Sequence, residues 1–254
     1  MHEARRRQVG SEHDAVEAAG AEDGDTVGMY GGGVIYRHFV FDLDGTLIDS
    51  RQDLADAANA MLASYGAPPL PVPDVVAMVG EGARVLVARA VQRAAIAVDP
   101  DEALPRFLDA YEARLTATTV PYPGVRDTLA HLHAVARVSV LTNKPQAATG
   151  QVLDGLGLAS CIDAAIGGDT AHGRKPEPAA LAALVAGSGV PAGETLLVGD
   201  SWVDVATARA GGVDACLVSY GFGYAAVDAA HRAAARFTIA TPGELMALAP
   251  SALP

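Results

Sequence analysis

The chain has 254 residues, half of them apolar and 5% aromatic, with a formal net charge of −12. So acidic a balance argues against nucleic acid or an anionic membrane as partner, because phosphate backbones demand clustered Lys and Arg. No apolar run approaches the roughly 20 residues of a bilayer span, and no apolar h-region follows Arg5-Arg6-Arg7, so a cytoplasmic protein is expected.

Residues 1–33 are rich in Ala, Glu, Asp and Gly, carry seven acids against three arginines, and end in Gly31-Gly32-Gly33. Without apolar periodicity they read as a disordered tail, drawn here through residue 36. Met29 is a second candidate start. From His38 the text changes. HFVFD (38–42) is a short apolar run of the kind buried on both faces of a sheet. Runs of the same look follow at VSVLTN (138–143), DAAIGG (163–168), TLLVGD (195–200) and ACLVSY (215–220), with RFTIA (236–240) weaker. Helix-like segments lie between them at 124–135, 146–156, 177–188 and 203–211. Strands alternating with such helices predict βαβ units, hence an α/β fold with a Rossmann-like parallel sheet flanked by helices. Residues 51–118 break the alternation with Ala-rich helical stretches at 52–65, 83–97 and 102–117. They predict a small helical cap above the carboxyl edge of a core formed by 37–50 and 119–254.

Four of the strand candidates end in polar clusters, and ligands of open α/β sheets bind beyond the carboxyl ends of the strands. Asp42, Asp44, Thr142, Asn143, Lys175, Asp200 and Asp204 should therefore converge. Several carboxylates at one edge need cations; a hard divalent ion with oxygen ligands suits them, and Mg²⁺ is the usual one where phosphate is also bound. The chain has sixteen arginines but only two lysines, Lys144 and Lys175. A carboxylate, a metal, a lysine and a hydroxyl/amide pair suit phosphoryl transfer, whose oxygens each need a partner.

The stretches DLDGTLIDS (42–50), LTNK (141–144), RKPEP (174–178) and GDSWVD (199–204) resemble, in order, the four motifs of the haloacid dehalogenase (HAD) superfamily. VGEGARVL (79–86), PYPGV (121–125) and IGGD (166–169) are similar to its phosphoglycolate-phosphatase branch. The resemblance implies an Mg²⁺-dependent phosphomonoester hydrolase acting on a small phosphorylated metabolite, as monomer or homodimer. Asp42 would be the nucleophile that forms an aspartyl-phosphate. Asp44 would be the general acid and base, its backbone carbonyl also binding the metal. Thr142, Asn143 and Lys175 would hold the phosphoryl group. Asp200 would be a metal ligand, with Asp204 and Ser201 supporting the metal from behind. In the cap, Glu81, Arg84 and Arg51 are candidates for substrate specificity, an arginine suiting a substrate carboxylate such as that of 2-phosphoglycolate.

Alternatives within the superfamily are a β-phosphoglucomutase-like sugar phosphomutase, a pyrophosphatase and a nucleotidase. Outside enzymes, the alternative is a phosphate-binding regulatory protein. Asp44 argues against dehalogenation, and the absence of lysine from residues 51–118 argues against Schiff-base phosphonatase chemistry. Other features have plainer readings. Lys144 reads as a first-turn helix residue before Pro145, Asp49 and Ser50 as a helix N-cap, and Asp169 as a strand end. Trp202 has no assigned role. Cys161 and Cys216 read as core residues. GFGYAA (221–226) fits a dinucleotide pattern but follows the wrong strand. GDTAHGRK (168–175) fails as a P-loop, with Arg174 where the lysine should stand. His131 and His133 sit i, i+2 on a helix and share no face.

Overall fold

The computed structural model describes residues 34–251; the 1–33 segment and the Met29 start lie outside the described residues. Among the described residues there are eight strands: β1 (His38–Phe41), β2 (Ile48–Asp49), β3 (Val120–Pro121), β4 (Arg137–Leu141), β5 (Ala164–Ile166), β6 (Thr195–Gly199), β7 (Asp214–Val218) and β8 (Phe237–Ile239). Six of them form one wholly parallel sheet in the order β5-β4-β1-β6-β7-β8. Nine α-helices accompany them among the described residues: α1 (Arg51–Ala63), α2 (Val72–Val76), α3 (Ala83–Arg93), α4 (Pro100–Glu112), α5 (Val125–Val135), α6 (Gln146–Gly155), α7 (Ala179–Ser188), α8 (Trp202–Gly211) and α9 (Ala229–Ala234).

The near-continuous apolar runs of the sequence are explained by burial on both faces of the sheet. Alternate residues of each strand separate cleanly, as the two-residue period requires. Phe39, Phe41, Val138, Val140, Leu196 and Val198 enter one core with Val125, Leu129 and Leu132 of α5 and Val152 of α6. Val40, Leu141, Leu197, Ala215 and Leu217 enter the other, with Leu181 and Leu184 of α7 and Val205 and Ala208 of α8. The first core continues into the helices that follow β1, through Leu54, Met61, Leu86 and Phe107. β1 is central, with β4 on one side and β6 on the other. That order puts the switch point, and its crevice, beside the carboxyl end of β1.

Four helices, α1 to α4, occupy the segment between β2 and β3. These two-residue strands pair antiparallel, Ile48 with Pro121 and Asp49 with Val120, where the chain leaves the sheet layer and returns to it. Asp53, fully buried in the first turn of α1, closes the same neck. Its Oδ2 accepts from Thr118 N–H (2.9 Å), Thr119 N–H (2.8 Å) and Thr119 Oγ1–H (2.7 Å). Neither strand is visible in the sequence, because two residues carry no periodicity. The five residues of α2 are too few to show one either.

The tail assignment through residue 36 requires correction. Tyr36 is fully buried, its N–H donating to Leu248 O (2.9 Å) and its hydroxyl to Asp214 Oδ2 (2.6 Å). A large aromatic ring has more to gain from the core than a Gly-rich neighbour predicts.

His38 begins β1 without solvent access, its Nε2 3.0 Å from Ser139 Oγ. Burial, with Arg137 assisting and Asp163 opposing, pushes the imidazole down from 6.5 to about 4. At pH 7 the ring is neutral folded or unfolded. As the pH falls from 6.5 to about 4, the unfolded chain alone binds the proton, so stability drops throughout that window. At pH 5 the cost is about 2 kcal/mol. His38→Gln removes it: urea unfolding at pH 7 and pH 5 should show the variant gaining about 2 kcal/mol relative to the parent on acidification.

Among the described residues, no helix is long and apolar enough to cross a membrane.

Candidate active site

Asp42 follows directly on β1 and is 7% exposed. Its Oδ1 accepts from Leu43 N–H (2.7 Å) and lies 2.8 Å from Lys175 Nζ, while its own N–H donates to Val198 O (2.9 Å) on β6. The chain then turns sharply. Leu43 O collects the N–H groups of Thr46, Leu47 and Ile48, and Gly45 takes φ +90°. A β-carbon on Gly45 would lie 2.1 Å from Asp200 Oδ2. Glycine is thus required twice there, for its backbone angle and for the space beside Asp200.

Asp200 follows β6 and approaches from the other side. Its Oδ2 accepts from Gly223 N–H (2.7 Å), and Gly221 packs on its Cβ. The GFG sequence that fails as a nucleotide loop therefore lays backbone against Asp200. Asp204 stands in the first turn of α8 and completes a capping box with Ser201, whose N–H (3.0 Å) and Oγ–H (2.6 Å) donate to Asp204 Oδ2. The other oxygen of Asp204 lies 2.6 Å from Lys175 Nζ.

Asp42, Asp200 and Asp204 each present an oxygen within 4.8 Å of the others, all three buried. Burial foremost, then the neighbouring carboxylates, raises Asp200 well above the ordinary range; burial and Asp204 push Asp42 up to about 6 despite Lys175. For Lys175, burial lowers the pKa, but Asp204 and Asp42 outweigh it and the ammonium is held protonated. Deprotonated, as metal ligands must be, three carboxylates with one ammonium leave two negative charges. A small all-oxygen set short of two positive charges fits a hard divalent cation.

Asp44 belongs to a second constellation. Its Oδ1 accepts from Ser50 Oγ–H (2.6 Å), and Lys144 Nζ lies 3.0 and 3.1 Å from its two oxygens. Lys144 also donates to the hydroxyl of Tyr111, which comes from α4. The readings of Lys144 and Ser50 therefore need correction. Lys144 precedes α6 and is 6% exposed with its ammonium on Asp44; Ser50 occupies the N-cap position of α1, yet its hydroxyl serves Asp44 and makes no cap bond. The one available signal for Lys144 is the scarcity of lysine. Asp169 accepts from Gln146 N–H (2.7 Å) and so caps α6.

Thr142 follows β4 and is 2% exposed, its Oγ1 accepting from Lys144 N–H (3.2 Å). The side chain of Asn143 is committed elsewhere. It donates to Gly80 O (2.9 Å) and Lys175 O (3.0 Å) and accepts from Lys175 N–H (2.9 Å), tying the Lys175 loop to the start of α3. A side-chain contact from Asn143 to a ligand would have to displace these bonds.

The three specificity candidates do not reach the carboxylates. Glu81 pairs with Arg89 (2.5 Å) and Arg84 forks onto Asp101 (2.6 and 2.9 Å), both within the helical segment. Arg51 forks onto Asp49 and lines a separate depression with Gln52 and Val120. In each case an oppositely charged neighbour captures the side chain. Trp202 is 36% exposed, its ring 5.8 Å from that of His231, and does not line the cavity over Asp42.

Two adjoining cavities open above the carboxyl end of the sheet. The inner one is small, about 50 Å³, and is lined by Asp42, Asp44, Thr142 and Lys144 below and by Leu54, Val79, Leu86, Phe107 and Tyr111 from the helices. The outer one, about 330 Å³, is bordered by Arg84, Gln151, Asp169 and Arg174.

A parallel sheet with paired aspartates after its central strand, a lysine and two further aspartates opposite, and helices inserted after that first strand, defines a hydrolase core of the phosphoryl-transfer type. The model of the haloacid dehalogenase-like hydrolase family matches residues 39–218, and the chain belongs to that family. It is 46% identical over 191 residues to a phosphoglycolate phosphatase of Rhodospirillum rubrum, covering 72% of this chain and 79% of that protein. It is 43% identical over 198 residues to a phosphoglycolate phosphatase of Pseudomonas fluorescens, with 76% and 72% coverage. Among solved structures, a protein from Haemophilus somnus described as a predicted phosphoglycolate phosphatase superposes with TM-score 0.78 at 28% identity, covering 84% of this chain and 97% of that one.

Proposed function

We propose that this chain is an Mg²⁺-dependent phosphomonoester hydrolase acting on 2-phosphoglycolate. The observation that carries the reaction is the buried Asp42 carboxylate, with Lys175 on one oxygen and Asp200 and Asp204 alongside. The similarity to the phosphoglycolate phosphatases supports the substrate.

Oδ1 of Asp42 is engaged by Leu43 and Lys175, which leaves Oδ2 to attack phosphorus. The P–O bond to the leaving group breaks as the aspartyl-phosphate forms, and Asp44 delivers a proton to the departing oxygen. Asp44 then takes a proton from the water that attacks phosphorus, which releases inorganic phosphate and restores Asp42. Lys175 and Thr142 hold the phosphoryl oxygens. Asp42, Asp200 and the Asp44 carbonyl would bind Mg²⁺, with Asp204 and Ser201 behind them, and the ion would offset the charge shared by phosphate and nucleophile. Helices α1 to α4 act as the cap, excluding water from the inner cavity while phosphate is transferred.

The decisive experiment is phosphate release from a panel of small phosphate esters, with and without Mg²⁺. Turnover of 2-phosphoglycolate that disappears in EDTA and returns with Mg²⁺ is expected. Undiminished turnover in EDTA would remove the metal from the proposal, and turnover of other esters alone would remove the substrate.

A further inference from the structure

Lys144 is the one cation among the residues that line the inner cavity, and its companions there are largely hydrocarbon. Lys175, the other lysine, lies between Asp42 and Asp204 and is absent from that lining. Leu54, Val79, Leu86, Phe107 and Leu108 offer nothing to the hydroxyl groups of a sugar, and unpartnered polar groups are costly against such walls. A cavity of about 50 Å³ with this lining admits a short leaving group carrying one anionic end.

The donors for that end are in place. An ammonium has three N–H groups. Those on Lys144 go to the two oxygens of Asp44, at 3.0 and 3.1 Å, and to the Tyr111 hydroxyl; because both Asp44 oxygens belong to one carboxylate, a substrate carboxylate can take one of these N–H groups while another keeps Asp44. The Tyr111 oxygen accepts from Lys144, and its own proton goes to no acceptor among the described residues. Lys144 comes from the sheet layer and Tyr111 from α4, so the pair spans the joint between them. Their position matches the chemistry: Asp44 faces the ester oxygen in the reaction above, and Lys144 lies 3.0 Å from Asp44. In a phosphorylated 2-hydroxy acid the carboxyl carbon is only two bonds beyond that ester oxygen.

We infer that Lys144 Nζ and Tyr111 Oη together form the receptor for a carboxylate on the leaving group, and so select small phosphorylated hydroxy acids over neutral and sugar phosphate esters. This rests on the hydrolase reading for the reaction, but its argument comes from the cavity lining. It also explains why arginines in the helical segment are not needed for the carboxylate. The competitor is Arg174, exposed on the outer cavity and paired with no acid among the described residues.

The measurement is the ratio of kcat/KM for 2-phosphoglycolate to that for ethyl phosphate, with Mg²⁺ present, in the parent chain and in Lys144→Gln, Lys144→Arg, Tyr111→Phe and Arg174→Gln. A charged hydrogen bond of the usual strength predicts a parent ratio of about 10 to 100. Lys144→Gln should bring it close to one, chiefly through KM for phosphoglycolate, and Lys144→Arg should restore part of it. Tyr111→Phe keeps the ring, 4.4 Å from the ammonium, and should lower the ratio several-fold while safeguarding the fold if Lys144→Gln is unstable. If Lys144 merely steadies Asp44, both esters slow together and the ratio stands; that result overturns the inference. A ratio that collapses in Arg174→Gln alone also overturns it and moves the receptor to the outer cavity. Should the parent hydrolyse neither ester, calorimetric binding of the two to the parent and Lys144→Gln separates the issues. A preference for phosphoglycolate that is lost with Lys144 keeps the receptor while the hydrolase reading falls; equal binding of both esters removes the receptor too.

Discussion

Asp42→Asn should abolish phosphate release, by about 10⁴-fold or more, while leaving the chain as stable as before or more so. The size follows from the loss of a nucleophile, for which the residual rate comes from binding and electrostatics alone; 10⁴-fold is about 5.5 kcal/mol of transition-state stabilisation. The stability half of the prediction separates a catalytic role from a structural one. Burial, and the nearby Asp204, push Asp42 up to about 6, so its charged form is disfavoured in the folded chain. Because the folded value lies above the ordinary 3.8, the folded state loses stability as pH rises from 3.8 through about 6, and the whole penalty is present at pH 7. Asparagine removes that charge. Its carbonyl oxygen can keep the two hydrogen bonds that Oδ1 now accepts, from Leu43 and Lys175. Thermal melts in EDTA should therefore show an unchanged or higher Tm beside the lost activity. Substantial residual turnover would refute the nucleophile assignment, and a large fall in Tm would show that the carboxylate holds the loop rather than reacts.

How much of this arrangement is legible in the sequence depends on whether a residue's role is settled locally. Asp42, Asp44 and Asp200 are conspicuous because charged residues end runs otherwise built for a buried sheet, and the sheet order then brings those ends together; Lys175, in the loop after β5, stands out as one of two lysines. Lys144 misleads because a lysine before a proline at a helix start is ordinarily solvated. Its burial depends on Tyr111 and Asp44, which are 33 and 100 residues away. Glu81, Arg84 and Arg51 are ion-paired to partners near in sequence, Arg89, Asp101 and Asp49, which the sequence alone does not show. The helix limits shift by only a few residues, since apolar periodicity marks the body of a helix better than its ends. The glycines of GFGYAA are the least legible, for a glycine shows that backbone approaches something without naming what it approaches.

That last case yields a sharp test. Gly221→Ala should lower activity at limiting Mg²⁺ by about 10- to 100-fold, the range found when groups behind a metal ligand are disturbed. The φ of Gly221 is not in the left-handed region, so alanine meets no backbone strain there and the effect is one of space alone. A β-carbon would lie 2.2 Å from Asp200 Cβ and 2.4 Å from Gly45 O. Neither neighbour can retreat cheaply. Gly45 carries the turn between Asp44 and Ile48, and Asp200 is held by Gly223 N–H at 2.7 Å. Either the Asp200 carboxylate or the Asp42–Asp44 turn must move, and both are parts of the proposed metal site. Overpacking of this kind costs about 1–3 kcal/mol of stability, enough to register in a melt without unfolding the chain. The Mg²⁺ titration carries the prediction: the half-saturating concentration should rise, and added Mg²⁺ should recover part of the lost rate. Gly187→Ala, in α7 with nothing within 4 Å of the new methyl, is the matched control and should leave the titration unchanged. If Gly221→Ala responds to Mg²⁺ as the parent does, Asp200 is not held in place by the GFG loop. If the loss persists undiminished at saturating Mg²⁺, the loop acts on the Asp42–Asp44 turn and not on the ion.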